Sequence, residues 1–253
     1  TIKLRKLMEL GQLIHSHGLH LFFLSLADFL DMENDIQLIE KYPEETRWAM
    51  KIREFGLDIV REIGGRAIHP LTNETGGFKK VPTREALEKI IEKSDEVLEM
   101  SKKLGDFFLQ IKIPDFSRET EYVALSSKNE YAIYDGDIIS SDGLNIPVSK
   151  FENNFSELQR PQEVIKRVEL KGKTFLVGAI ARVNLNRDQL SLSAHEYLQK
   201  LNYEFPDFNP FHNILFQMVE VIHCVEESRR ILKELLSANL ANALTKDFEI
   251  KAG

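Results

Sequence analysis

The stretch "NPFHNILFQMVEVIHCVEE", residues 209–227, opens on an Asn-Pro pair suited to the first turn of a helix. Its apolar residues then keep to one broad face: Phe211, Ile214, Leu215, Met218, Ile222, Val225 and, further on, Ile231. A face that wide must be covered by another element of comparable length. The search for that cover leads back along the chain.

At the amino end, Leu4, Leu7, Met8, Leu13, Ile14, Leu21 and Leu24 recur at helical spacings, which predicts a helix from Ile2 to about Phe29. A second helix is expected to begin at Pro43, with Glu44 and Glu45 in its first turn, and to stop at Gly64-Gly65. Thr83 can cap a third, which runs to about Gly105. The first and last long helices are expected to pack in one core.

Two segments break the helical period. Residues 66–82, "RAIHPLTNETGGFKKVP", carry two prolines and a Gly-Gly pair, and read as a long loop. From Phe107 to about Val148, "FFLQIKI", "YVALSS" and "YAIYDGDIIS" are rich in β-branched and aromatic residues, with turn signals at Asp135-Gly136 and Ser141-Asp142-Gly143. Ser149 with Glu152 reads as a capping box, "KTFLVGAIA" (173–181) as a strand or buried segment, and Asn186 with Gln189 as a helix start. The fold class expected is mainly α with a small antiparallel β insertion (α+β). It is read as one domain over 1–253: a helical region over 1–106 with loop 66–82, a β-rich insertion 107–182, and C-terminal helices 183–253.

Composition narrows the function. The net charge is −7, from 40 acidic and 33 basic residues, and such a field opposes the phosphate neutralisation that nucleic-acid binding needs. The run "GLHLFFLSLA" (18–27) is half the roughly 20 residues of a membrane span, and no secretory signal is visible at the amino end. No membrane span and a cytoplasmic setting are therefore expected. One cysteine, Cys224, excludes an intrachain disulfide and a multi-thiolate metal site built from this chain alone.

Three histidines crowd "HSHGLH" (15–20). On a helix His17 and His20 share a face with Leu21 and Leu24, whereas His15 lies about 200° from His17, so the three cannot act as one ligand set. His17 and His20 read first as buried, hydrogen-bonded histidines; ligation of zinc or iron, as in a histidine-based metallohydrolase, would need a further donor from elsewhere. In "GGRAIHP", Pro70 is expected to hold His69 out of the helical region, so that Arg66 and His69 project from a fixed corner. A functional corner and a solvated turn remain equal readings. Cys224 and its neighbour His223 point about 100° apart on a helix and form no nucleophile–base pair; a buried, inert thiol is expected. No Gly-rich phosphate loop, G-x-S-x-G or H-E-x-x-H occurs.

Five phrases in order, "SHGLHLFFLSLADF", "IGGRAIHP" with "GGF" following, "YAIYDGDIISSDG", "VGAIARVN" and "NPFHNILFQMVEVIHCVEE", resemble the large (alpha) subunit of nickel-iron hydrogenases, of the cytosolic type linked to NAD(P), deazaflavin or heterodisulfide-reductase partners. The resemblance implies H2 oxidation or proton reduction at a Ni-Fe centre with CO and cyanide, held by four cysteines in two CxxC pairs. This chain has neither pair, and "FEIKAG" closes it short of the family's carboxy-terminal cysteines. The expectation is a middle segment of such a large subunit that binds no centre and is inactive alone; the alternative is a non-enzymatic scaffold homologue. The resemblance implies positions close to the centre, without coordination, for Ser16, His17 and His20, and for Arg66 and His69 toward the proximal iron-sulfur cluster. It implies as partners the iron-sulfur small subunit, together with further electron-transfer subunits. Uncovered core surface would also favour self-association.

Overall fold

The computed structural model describes residues 1–245, so "FEIKAG" (248–253) lies outside the described residues. The described residues fold as two compact units, one of residues 1–111 with 220–245 and one of residues 112–219.

The first unit is a bundle of long helices. Helix α1 (Ile2–Gly18) continues as a π-helical segment (Leu19–Ser25) and a last turn, α2 (Leu26–Phe29). Helices α3 (Asp35–Lys41), α4 (Pro43–Gly64) and α5 (Arg84–Phe108) follow, with the hairpin β1 (Asn73–Glu74) and β2 (Gly77–Phe78) set before α5. The long C-terminal helix, α9 (Asn213–Leu236), contributes its later turns. The boundaries follow local chemistry: Pro43 and two acids start α4, Gly65 ends it at φ 79°, and the Thr83 hydroxyl accepts the Ala86 N–H at the start of α5.

Helices α1 and α4 run antiparallel and cross where two glycines meet. A Cβ on Gly56 would lie 2.6 Å from the Gly11 carbonyl oxygen, and one on Gly11 would lie 2.9 Å from that of Gly56. Only glycines let two helix backbones come so near. Helix α9 lies antiparallel to α1, joined by His17 to Glu220 at one end and by Lys3 to Glu234 (2.9 Å) at the other. The expected pairing of first and last helices is thus present. Lys93 to Asp58 and Arg229 to Asp95 tie α5 to α4 and α9. Between the helices Leu7, Ile14, Ile52, Ile59, Ile63, Leu87, Ile222, Val225 and Leu232 are fully buried, each contributing about 1.5–3 kcal/mol of apolar burial.

Three expectations change here. The first helix is not uniformly α: the π segment shifts the register, so Leu21 and Phe22 are buried while Leu24 is 63% exposed. The loop 66–82 holds the β1–β2 hairpin, pinned by Leu71 N–H to the Gly64 carbonyl and by Thr72 Oγ1 to the Ile63 carbonyl. "FF" of "FFLQIKI" stays helical because Leu104 and Phe108 bury against the bundle and Phe107 meets Tyr42 edge-on, which overrides β propensity.

The second unit carries the sheet. Strands β3 (Val123–Ser126), β4 (Asp137–Ser140) and β5 (Asn145–Ile146) are antiparallel in that order, and β6 (Phe155–Leu158) pairs antiparallel with β7 (Arg167–Leu170). Val123, Ile138, Phe155 and Leu170 make a small core between them. Ser149 sits in a 3₁₀ turn and does not cap the short helix α6 (Phe151–Asn154), which Lys150 precedes. "KTFLVGAIA" is no strand: Leu176 exchanges backbone bonds with Glu121 and Val123, Gly178 turns at φ 98°, and helix α7 (Ala179–Asn186) starts. Asn186 ends α7 and, without a side-chain cap bond, starts a 3₁₀ turn (Arg187–Gln189) in place of the expected α-helix. Its amide reaches the Leu125 carbonyl at 2.9 Å, and helix α8 (Leu192–Leu201) begins only after Ser191. Among the described residues no helix is long and apolar enough to cross a membrane. The molecule is mainly α with small antiparallel sheets.

Candidate functional site

Leu7, Leu10 and Ile14 form the buried stripe of α1, and His17 stands three residues beyond Ile14 on the same face. It is carried inward against the part of α9 in its own unit, whose residues from Glu220 to Val225 are buried. There the His17 Nε2 meets the Glu220 Oε2 at 2.7 Å. The Glu220 side chain is fully buried and that of His17 retains 8% exposure. A carboxylate out of water costs several kcal/mol unless it is hydrogen-bonded, so Glu220 fixes where the imidazole must be. One turn further, His223 and Cys224 are also buried. Burial holds the His223 imidazole below its ordinary value, against the opposing pull of Glu227, Glu220 and Glu226.

The other two histidines go elsewhere. His15 Nδ1 accepts the Arg53 Nε–H at 3.2 Å, and partial burial followed by the Arg53 charge lowers its affinity for a proton. His20 lies in the π segment with its Nε2 3.1 Å from the Ser25 hydroxyl. Ser16 faces outward. The split of His15 from His17 follows the helical reading; the different partners of His17 and His20 follow from the π segment that separates them.

The Arg66–His69 corner is built and exposed. Arg66 Nε donates to the His69 carbonyl at 2.5 Å, and Gly64 packs on Pro70. His69 is outside the helical region as expected, but at φ 54°, in the left-handed region. The corner is not brought to His17. From the Gly11–Gly56 crossing, His17 lies six residues along α1, and Gly64, where α4 stops short of the corner, lies eight along α4 in the opposite direction, about 21 Å of helix axis at about 1.5 Å per residue.

Sequence reasoning missed Glu220, whose signal is an acid inside the run "MVEVIHCV" that the helical period buries on every side. It also missed a polar network in the second unit. Asp207 Oδ2 meets the His212 Nδ1 at 2.6 Å, its Oδ1 accepts the Asn209 N–H, and its backbone binds the Asn184 amide and the Tyr122 hydroxyl. Tyr203 stacks on the His212 ring with centroids 3.9 Å apart. Burial, with the Asp207 charge, pushes the Tyr122 phenol up to about 12 and raises that of Tyr203. The network ties loops to α7 and leaves His212 with Asn209 at its Nε2, 3.3 Å away. It reads as structural.

Among the described residues, no three His, Cys, Asp or Glu side chains are placed to hold a metal ion. His17 and His20 are therefore not joined by a third donor. Cys224 is a single thiol with 0% exposure in mid-helix, so the donor set does not fit a centre that requires four thiolates.

No protein-family model matches the chain. It is 30% identical over 92% of its length to the alpha chain of sulfhydrogenase 1 of Pyrococcus furiosus, and 26% identical over 99% to a vhu-type F420-non-reducing hydrogenase polypeptide of Methanocaldococcus jannaschii. It spans 55% and 66% of those two relatives, so about half to two thirds of their lengths. Its fold matches a chain of a NAD+-reducing NiFe-hydrogenase solved in the H2-reduced state with TM-score 0.81 at 21% identity, covering 98% of this chain and 61% of that one. A Ni-Fe-Se hydrogenase of Desulfomicrobium baculatum follows at TM-score 0.64 and 16% identity, covering 94% and 63%.

Proposed function

We propose, for a chain whose homologues are the large (alpha) subunits of nickel-iron hydrogenases, that it is the helical middle segment of one of these subunits, serving H2 oxidation or proton reduction in the complete parent. The observation that carries this reading is relatedness along 92–99% of the chain to hydrogenase subunits of which it spans only a fraction. The residues present do not fit the Ni-Fe centre, with one buried thiol where the family uses four. The chain's own contribution is a frame: α1, α4 and α9, locked at the Gly11–Gly56 crossing and at His17–Glu220. We place Ser16, His17 and His20 close to the parent's centre, and Arg66 and His69 on a face toward an iron-sulfur partner subunit, in a cytoplasmic complex with further electron-transfer subunits.

The test is to express the parent gene with its flanking sequence and measure H2-dependent dye reduction by the purified complex. H2 uptake with stoichiometric nickel supports the reading. Flanks without a CxxC on either side, or a nickel-free complex without uptake, would instead make the protein a scaffold that kept the fold and lost the chemistry.

A further inference from the structure

Glu220 and His17 stand 203 positions apart in sequence yet form one acid–base pair, and the pair is asymmetric. The carboxylate is sealed at 0% side-chain exposure, while the imidazole keeps 8%. Within the pair, only the imidazole reaches the surface. Nε2 lies 2.7 Å from the Glu220 oxygen; an ionised Glu220 can only accept, so a neutral ring facing it carries its hydrogen on Nε2 and has Nδ1 as its lone-pair nitrogen. This is the arrangement of a base whose far nitrogen is fixed by a buried orienting acid. The pair also sits next to a π-helical segment, Leu19–Ser25, a distortion frequent at functional sites.

Resting on the hydrogenase reading above, we infer that Glu220 is a positioning residue that holds the His17 imidazole as a proton acceptor for the parent enzyme. A proton arrives at Nδ1, the ring becomes imidazolium with Glu220 still accepting from Nε2, and the proton leaves from Nδ1 to water; no bond to carbon or metal is made. Titratable and charged groups on the same and neighbouring elements include His223, Glu226 and Glu227 on α9, His15 on α1, His20 in the π segment and Arg53 on α4, whose Cβ would lie 3.6 Å from a Cβ on Gly18.

The experiment compares Glu220→Gln, Glu220→Asp and His17→Gln in the full-length complex, reading H2 uptake against pH and the KM for H2. Glu220→Gln is expected to lower turnover about 10–100-fold, the usual range for loss of an orienting partner, at unchanged KM. It should also move the acid limb to lower pH, because removing the negative charge behind the ring makes imidazolium harder to form. Glu220→Asp should keep the limb in place. A lowered rate with an unmoved limb means a purely structural pair and overturns the inference. If Glu220→Gln does not assemble, His17→Gln, whose amide can still donate to Glu220, decides: a wild-type pH profile overturns the inference, and loss of the limb supports it. A wild-type complex without H2 uptake would instead remove the hydrogenase reading, and the inference falls with it.

Discussion

His223 stands one turn from Glu220 on a stretch of α9, Ile222 to Val225, that is sealed from water. Burial is the largest cause of its lowered proton affinity, and three glutamates only partly oppose it. The sign of the consequence is fixed. Below its ordinary value of 6.5 the unfolded chain takes up a proton that the folded chain refuses, so folding stability falls as pH drops from about 7 to 5. The steepest slope one such histidine gives is about 1.4 kcal/mol per pH unit. His15, lowered for similar reasons, adds to it with the same sign. Urea denaturation at pH 7 and pH 5 should show the loss, and His223→Leu should flatten it while His15 retains its share. Equal losses in the wild type and the variant would show that His223 accepts its proton in the folded state. None of this was readable from residues 209–227 alone. The period places His223 on a helix, but the burial that shifts it comes from helices far away in the chain.

At the scale of the helix, the firmest readings were those whose cause is local. Pro43, Glu44, Glu45 and the Gly64-Gly65 stop bound α4, and Thr83 caps α5, because each acts through its own backbone within a turn. The π segment left no such signature: "LHLFFLS" has a helical pattern, and the extra residue per turn shows only when Leu21 and Phe22 bury and Leu24 does not. The strand reading of Phe107 and Phe108 failed because propensity is weaker than a bundle face waiting to be filled. The α1–α4 crossing is likewise tertiary, and it can be tested. A methyl group on Gly56 would press the Gly11 carbonyl oxygen at 2.6 Å and the His15 nitrogen at 2.8 Å, both backbone atoms that cannot swing aside. Gly56→Ala is therefore expected to cost about 1–3 kcal/mol despite its gain in helix propensity. A thermal melt with an unchanged midpoint would mean that the two helices part without cost.

Across the whole molecule, both units leave large apolar side chains in water, Val164 (98% exposed) and Ile165 (73%) in the second unit among them; those of the first unit fall partly on one short helix. Helix α3 buries Leu38 but turns Ile36 (67% exposed) and Ile39 (42%) outward on adjacent turns. Leu24 at 63%, Met50 at 59%, and Ile68 and Leu71 beside the Arg66 corner add to the exposed apolar surface of the same unit. A soluble monomer rarely keeps contiguous apolar patches of more than a few hundred Å² uncovered. The chain spans only 55–66% of the relatives named above, and on the hydrogenase reading the rest of the parent subunit covers these faces. Purified by itself, the 253-residue chain should then associate as its concentration rises, and Ile36→Lys with Ile39→Lys should weaken that association without lowering the melting temperature, since neither side chain is in the core. Static light scattering over a tenfold dilution series reads it directly. A single species at monomer mass throughout would mean that these side chains are tolerated singly by solvent, and that the surface of the first unit is finished as it stands.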